Sequence, residues 1–336
     1  MCSAKRTRLY AGATPITVDD EEDAAAQQPY DVYRFDLNGG VANPFGIVTT
    51  CGRVHIPSMH SDQLPLPISQ SVRLGLAHRF KPRVCHDGQV ISFLSALYTN
   101  FYHFSIECLQ RLFLLKDVLQ DPGAALIMPK SALGFQTAWL EFLGLGHRVI
   151  LVEDGAVVRG SRVVTSTFAA NSSNQHSGIL RGFRVWIRAA PGLRTLSSQH
   201  PQRIFVGRPA GWRRGIVNSE AVADVCSAHG FASVDMDQLP LGEQIRMFAN
   251  ATHIVGLHGA ALSHLAFAAP AARVIELKNR DFKFHFFEKI CRGLDISYTK
   301  LNCQPAVESD DPATRNHADI IVDTQRLTTV IRESLQ

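Results

Sequence analysis

A regular alternation in the C-terminal half constrains this chain most. Short β-branched runs at Arg203 to Gly207, Phe231 to Asp235, His253 to Leu257, Arg273 to Leu277 and Ile296 to Lys300 are separated by helix-length segments. Those segments are Ser219 to His229, Leu241 to Ala251, Ala260 to Ala268 and Phe284 to Gly293. Continuous apolar runs spaced by helices predict βαβ units around a parallel sheet buried on both faces. In the first half, Gln89 to Phe93, Ala124 to Met128 and His147 to Val152 read as strands with helical patterns between them, which implies a further α/β layer. From Tyr33 to Gln70, short apolar runs mix with Pro44, Pro57, Pro65 and Pro67 and predict short strands and turns.

The chain divides on composition. Thr17 to Gln28 is acidic and Ala/Gln-rich without apolar periodicity, so residues 1–29 are expected to be a mobile segment. The Pro, Gly and Ser content of Ala189 to Pro201 marks a linker. The expected domains are therefore 30–195 and 196–310, with 311–336 carrying an amphipathic helix, Thr324 to Leu335, that packs back on one of them. At 336 residues and 46% hydrophobic, the chain can bury two cores, which excludes disorder, collagen and small disulfide scaffolds for the whole. Its net charge of +4 is too small an excess to indicate a nucleic-acid partner and suits a pocket for anions. No apolar run reaches the roughly 18 residues needed to span a bilayer, and the opening MCSAKRTRLY lacks the apolar core of a secretory signal, so a cytoplasmic location is expected. Seven scattered cysteines without a C-x-x-C pair fit a reducing compartment and indicate no zinc site. On that basis the sequons at Asn171 and Asn250 read as chance matches.

In open α/β sheets, ligands bind beyond the carboxyl ends of the strands, which directs attention to the residues just after each run. The first run leads into R-P-A-G-W-R-R, whose Arg208, Arg213 and Arg214 precede a helix capped by Asn218 or Ser219. Guanidinium forks and free helix N–H groups suit a phosphate; a solvated basic turn is the alternative. After HIVGL comes H-G-A-A-L-S-H, where Gly259 admits close backbone approach, Ala260 and Ala261 leave space, and His258 can donate to a phosphate oxygen or serve only as a structural turn residue. Glu276, at the end of ARVIEL, is placed to accept from ribose hydroxyls or to make a strand-end salt bridge.

Farther upstream, Phe101, Phe104, Cys108, Leu112, Leu115 and Leu119 bury one helix face, while His103, Glu107, Gln110 and Arg111 fall on another. With Asn100 or Thr99 as N-cap, His103 sits in the first turn as a candidate general base, with Glu107 one turn later to orient it; a solvated i,i+4 pair is the alternative. Asp235-Met236-Asp237 could hold a divalent metal, but the loop and helix that follow favour capping carboxylates. No H-E-x-x-H, P-loop or G-x-S-x-G occurs, and no G-x-G-x-x-G follows a strand.

Taken in order and spacing, N-F-Y-H-F-S-I-E-C-L-Q-R-L, R-I-F-V-G-R-P-A-G-W-R-R-G-I-V-N-S-E, V-G-L-H-G-A-A-L-S-H-L-A-F and V-I-E-L resemble the pattern of glycosyltransferase family 61, over about Phe93 to Ser334. The chain departs from that pattern in Gly207-Arg208-Pro209 for Ser-Arg-Arg, Phe104 for Trp and Ser263 for Thr. The resemblance implies a GT-B architecture of two Rossmann-like α/β domains facing across a cleft. It implies inverting transfer of a sugar from a nucleotide-sugar donor to a glycan acceptor in surface or capsular polysaccharide synthesis. No cofactor and no obligatory metal are expected, the nucleotide sugar being a substrate. Arg208, Arg213 or Arg214 and His258 with Gly259 and Ala260 would contact the diphosphate, Glu276 the ribose, and His103 would face the cleft. A loose association with a membrane-bound polysaccharide assembly, at the inner membrane face, is also implied. A nucleotide-sugar epimerase or hydrolase of the same fold, or a non-catalytic glycan-binding scaffold, are the alternatives.

Overall fold

The computed structural model describes residues 13–16, 32–59, 67–171, 174–193, 200–208 and 213–336. The expected N-terminal tail at 17–28, the middle of the expected linker at 194–199, and residues 209–212 of the basic loop lie outside the described residues. Two compact units, Met1–Trp186 and Ile187–Gln336, divide the chain. The division falls inside a helix, ahead of the 195/196 boundary that Pro, Gly and Ser content suggests. Helix packing explains this: Phe183 and Trp186 sit against Phe113 in the first unit, whereas Arg188 donates to the carbonyl of Phe267 at 3.0 Å in the second.

In the first unit, the strands β1 (Tyr33–Asn38), β2 (Gln89–Ile91), β3 (Ala125–Pro129), β4 (Val149–Val152) and β5 (Arg162–Ser166) form a mixed sheet with Thr14–Pro15 at its edge. Its order is Thr14–Pro15, β1, β5, β2, β3, β4, with β5, β2, β3 and β4 parallel. Between β2 and β3 lies a π-helical stretch, His103–Cys108, which continues into α1 (Leu109–Leu114). α2 (Ser177–Arg188) follows β5. A second sheet joins Arg53–Val54, Val48–Thr50 and Val41–Ala42, short strands of the kind the proline-rich region predicts, with Val157–Arg159 and Arg83–Cys85 from outside that region. Strand β2 ends at Ile91, short of the expected Phe93, because the carbonyls of Phe93 and Leu94 are taken by the Arg111 guanidinium instead of a neighbouring strand.

The second unit follows the alternation closely. Its elements are β6 (Arg203–Val206), α3 (Ser219–Ala228), β7 (Ala232–Val234), α4 (Leu241–Asn250), β8 (His253–Leu257), β9 (Arg273–Asn279), α5 (Phe286–Gly293), β10 (Ser297–Pro305), β11 (Ile320–Ile321) and α6 (Thr324–Ser334). The sheet runs β7, β6, β8, β9, β10, β11, parallel except for β11. Strand order therefore reverses between β6 and β8, the place where doubly wound sheets open a crevice at their carboxyl edge. Phe205, Val255, Ile275 and Leu301 from the strands, Val222 and Cys226 from α3, and Leu327 and Ile331 from α6 share one buried core, so the C-terminal helix packs on this unit.

One expected helix is different. Ala260–Phe267 winds as a 3-10 helix rather than an α-helix. Gly259 offers no capping side chain, and residues 262 to 268 are buried, with His264 against Phe248 of α4 at 5.4 Å, so packing rather than backbone propensity sets the winding. No helix among the described residues is long and apolar enough to cross a membrane.

Candidate functional site

Strand topology brings Arg208 and the His258-Gly259 pair to the switch point of the second unit, just past the ends of β6 and β8. Arg208 spans it. Its guanidinium donates to the carbonyl of Arg213, to that of Arg214 at 3.5 Å and to that of His258 at 3.3 Å, so three of a guanidinium's five N–H donors fasten the loop to the strand end. Burial, with the positive charge of Arg214 beside it, holds the Arg208 pKa below its ordinary value. A half-buried cation of this kind gains from an anion that replaces lost water. A Cβ at Gly259 would meet the end of the Arg208 guanidinium, which would have to shift. Arg214 adopts a left-handed backbone at φ 62° and places its guanidinium 5.9 Å from the Phe282 ring. Arg213 is exposed, and Ala260 half-buried, on the same loop and strand tip.

Behind the tip lies a chain of three side chains. His258 is buried between the rings of Phe282 at 4.4 Å and Phe287 at 5.1 Å, and its Nδ1 is hydrogen bonded to Glu276 Oε1. The Tyr298 hydroxyl, from the adjacent β10, donates to Glu276 Oε2. With its second oxygen accepting from tyrosine, Glu276 is the acceptor for an Nδ1–H. Burial lowers the His258 pKa; Glu276 opposes that, while Lys278 and Arg214 add to it.

Two of the expected site residues, Glu276 and Asn218, make hydrogen bonds within the protein. Glu276 is 1% exposed, with one oxygen bonded to His258 and the other accepting from Tyr298. Asn218 precedes α3 but its side chain does not cap the helix; Nδ2 donates to the Val322 carbonyl at 2.8 Å and Oδ1 accepts from the Val322 N–H at 3.0 Å. Its amide matches a peptide edge better than a single helix N–H, and so it is spent on the segment between β11 and α6.

In the first unit, Asn100 is the N-cap, its Oδ1 accepting from the Tyr102 N–H at 2.9 Å. His103 follows in the first turn, and its Nδ1 lies 2.7 Å from Glu107 Oε2. The pair is not on a solvated face: Glu107, Gln110 and Arg111 are all fully buried. Winding explains why. The π-helical stretch shifts the register of the residues after His103, turning Glu107 inward with Phe104 and Cys108. Arg111 then donates to the Leu94 carbonyl at 2.7 Å, Thr165 Oγ1 at 2.5 Å and the Ser166 carbonyl at 2.8 Å, clasping the carboxyl ends of β2 and β5. Its pKa is lowered by burial to about 10, which leaves it charged at neutral pH. A further strut runs from Gln110 to Gln175 at 3.2 Å and on to the Tyr102 hydroxyl at 3.1 Å, beside the His103 ring.

Asp235 Oδ1 accepts from the Asp237 N–H at 3.1 Å and caps a 3-10 turn, the capping role expected over metal binding. Among the described residues no group of three or more His, Cys, Asp or Glu side chains is arranged to hold a metal ion.

The glycosyltransferase 61 family model matches residues 101–275, just over half of the chain. The chain belongs to the glycosyltransferase 61 family. As a family 61 glycosyltransferase it transfers a sugar to an acceptor, and the matched region runs from the His103 helix through Arg208 and the His258 tip, ending one residue before Glu276. No curated protein matches the chain. Among solved structures, a dodecameric iron-containing heptosyltransferase, TibC, in complex with ADP-D-beta-D-heptose is similar at 9% identity and a TM-score of 0.32, with 76% of this chain and 75% of that chain covered. Tyr298, Phe282 and Gln175 in this family 61 chain are site neighbours that the sequence reading missed. Register and loop packing bring them in, and no spacing in the sequence signals them.

Proposed function

We propose that the protein is an inverting, metal-independent glycosyltransferase of GT-B architecture that moves a sugar from a nucleotide-sugar donor to a glycan acceptor in surface or capsular polysaccharide synthesis. The observation that carries this reading is the cationic strand tip at the β6/β8 switch point, where Arg208, Arg213 and His258 gather within a family 61 match. In such a reaction the bond between the sugar C1 and the diphosphate oxygen breaks, and its electron pair leaves with the nucleoside diphosphate. Arg208, Arg213 and His258 stabilise that developing charge, with the Gly259 backbone and Ala260 beside the phosphates.

The acceptor hydroxyl attacks C1 from the opposite side and must lose its proton. His103 takes it at Nε2, since the Nδ1 side is committed to Glu107. Buried Glu107 holds the ring and offsets the positive charge that forms on it.

Transfer assays with a panel of nucleotide sugars test this. Product whose anomeric configuration is inverted, formed in EDTA, is the expected result. Retention, or loss of transfer on chelation, contradicts it, and donor consumed without acceptor points to a hydrolase or epimerase. His103→Ala is expected to lower kcat by about 100-fold or more with donor binding intact; unimpaired transfer removes the base assignment.

A further inference from the structure

Tyr298, Glu276 and His258 are linked in series across β10, β9 and the tip of β8, with Tyr298 donating to one carboxylate oxygen and His258 bonded to the other. Glu276 is 1% exposed and His258 8%, so the carboxylate is shielded and the imidazole is the one member of the three at the strand tip. A carboxylate that takes both hydrogen bonds fixes the tautomer of the ring: Nδ1 keeps its proton, and a second proton must enter at Nε2.

Charges around the ring set the balance. On β9, Glu276 favours imidazolium and Lys278 opposes it; on the loop after β6, Arg214 opposes it, and Arg208 is bonded to the His258 carbonyl. α5 contributes the Phe287 ring, with Glu288 acting on Lys278 and Tyr298 behind it, and β10 contributes Tyr298, with Lys300 acting on Lys278. Without an anion, two cations and an apolar cage keep the ring neutral despite Glu276. A diphosphate at the same tip reverses that sum, because its charge outweighs Lys278 and Arg214 at close range.

We propose that Glu276 and Tyr298 are positioning residues that make His258 a proton-coupled phosphate contact. The imidazole takes one proton from solvent at Nε2 as a nucleoside diphosphate arrives, donates that N–H to a phosphate oxygen, and returns the proton to solvent as the nucleotide leaves. This rests on the reading that the β6/β8 switch point holds the donor diphosphate. It gives that site a charge-neutralising device whose strength depends on pH.

Calorimetric titration of the full chain with UDP, GDP, CDP and ADP, in buffers of different ionisation enthalpy such as PIPES and Tris, tests the idea. Wild type is expected to take up close to one proton per bound nucleotide at about pH 7.5. Glu276→Gln should abolish that uptake and weaken binding about tenfold or more. His258→Gln, which keeps a polar side chain without a titrating ring, should also abolish it, separating the protein's proton from the nucleotide's own.

Tyr298→Phe is expected to keep the uptake and move its midpoint to higher pH. A carboxylate that loses a donated hydrogen bond holds the imidazolium more strongly. A merely structural tyrosine would instead weaken binding equally at every pH, and that result overturns its positioning role. Binding by wild type without proton uptake, or unchanged uptake in Glu276→Gln, overturns the proposal while leaving the diphosphate site standing. Failure of every nucleotide to bind overturns both. Should Glu276→Gln not fold, the comparison of wild type with His258→Gln decides: uptake that persists in His258→Gln overturns the proposal.

Discussion

Arg111 shows how much one side chain carries here. Its guanidinium holds the carbonyls of Leu94 and Ser166 and the hydroxyl of Thr165 with no exposed surface. Arg111→Met keeps the volume but strands those acceptors, and is expected to cost about 3 kcal/mol or more, read as a lower urea midpoint. An unchanged midpoint would show that the acceptors find water. Spacing alone placed Arg111 and Glu107 on a polar helix face and left open whether that face was wet; burial answers this, since a π-helical turn changes which residues point inward. His78 and His264 are legible in the sequence only as residues, not as buried ones. Burial lowers both to about 4, with Lys81 adding to the effect on His78 and the Ala261 carbonyl opposing it on His264. Below about pH 6.5 the unfolded chain takes up protons that the folded rings refuse, so stability falls from there towards pH 4. His264→Phe, among Phe248 and Phe267, should flatten that slope in urea titrations at pH 7 and 5; an unaltered slope assigns it elsewhere.

At the scale of elements, β8 and β9 were readable because central parallel strands are apolar throughout, and His253–Leu257 matches the expected bounds. The segment after them was not, because Ala260–Phe267 is shaped by its neighbours rather than by its own propensity. The Gly-Ala-Ala reading expected a ligand to approach the Gly259 backbone; the close neighbour in the structure is the Arg208 guanidinium. Gly259→Ala must displace that guanidinium, and is expected to weaken nucleotide binding about tenfold while thermal stability changes little. Equal affinity would show that the loop yields freely. Asn218 clasps Val322 through both amide ends, so Asn218→Ala should lower stability by about 1 to 3 kcal/mol and leave donor affinity intact. A loss of affinity without loss of stability would return Asn218 to the donor site.

For the whole molecule, alternation predicted the α/β class and the parallel sheet of the second unit, but not its order. Which strand lies beside which is decided by long-range pairing, and the β7, β6, β8, β9, β10 order is what brings Arg208 to His258 across 50 residues of chain. The division into compact units falls within α2, ahead of the linker that composition marks, because α2 carries core residues such as Phe183 and Ile187 up to its last turn. Everything proposed for the reaction depends on that switch point holding a nucleoside diphosphate. Thermal unfolding of wild type and Arg208→Ala, against a panel of nucleotide sugars with and without EDTA, puts it to the test. Wild type is expected to be stabilised by at least one donor to the same extent in EDTA, with the shift lost in Arg208→Ala; no stabilisation by any donor, or a full shift in Arg208→Ala, would contradict it.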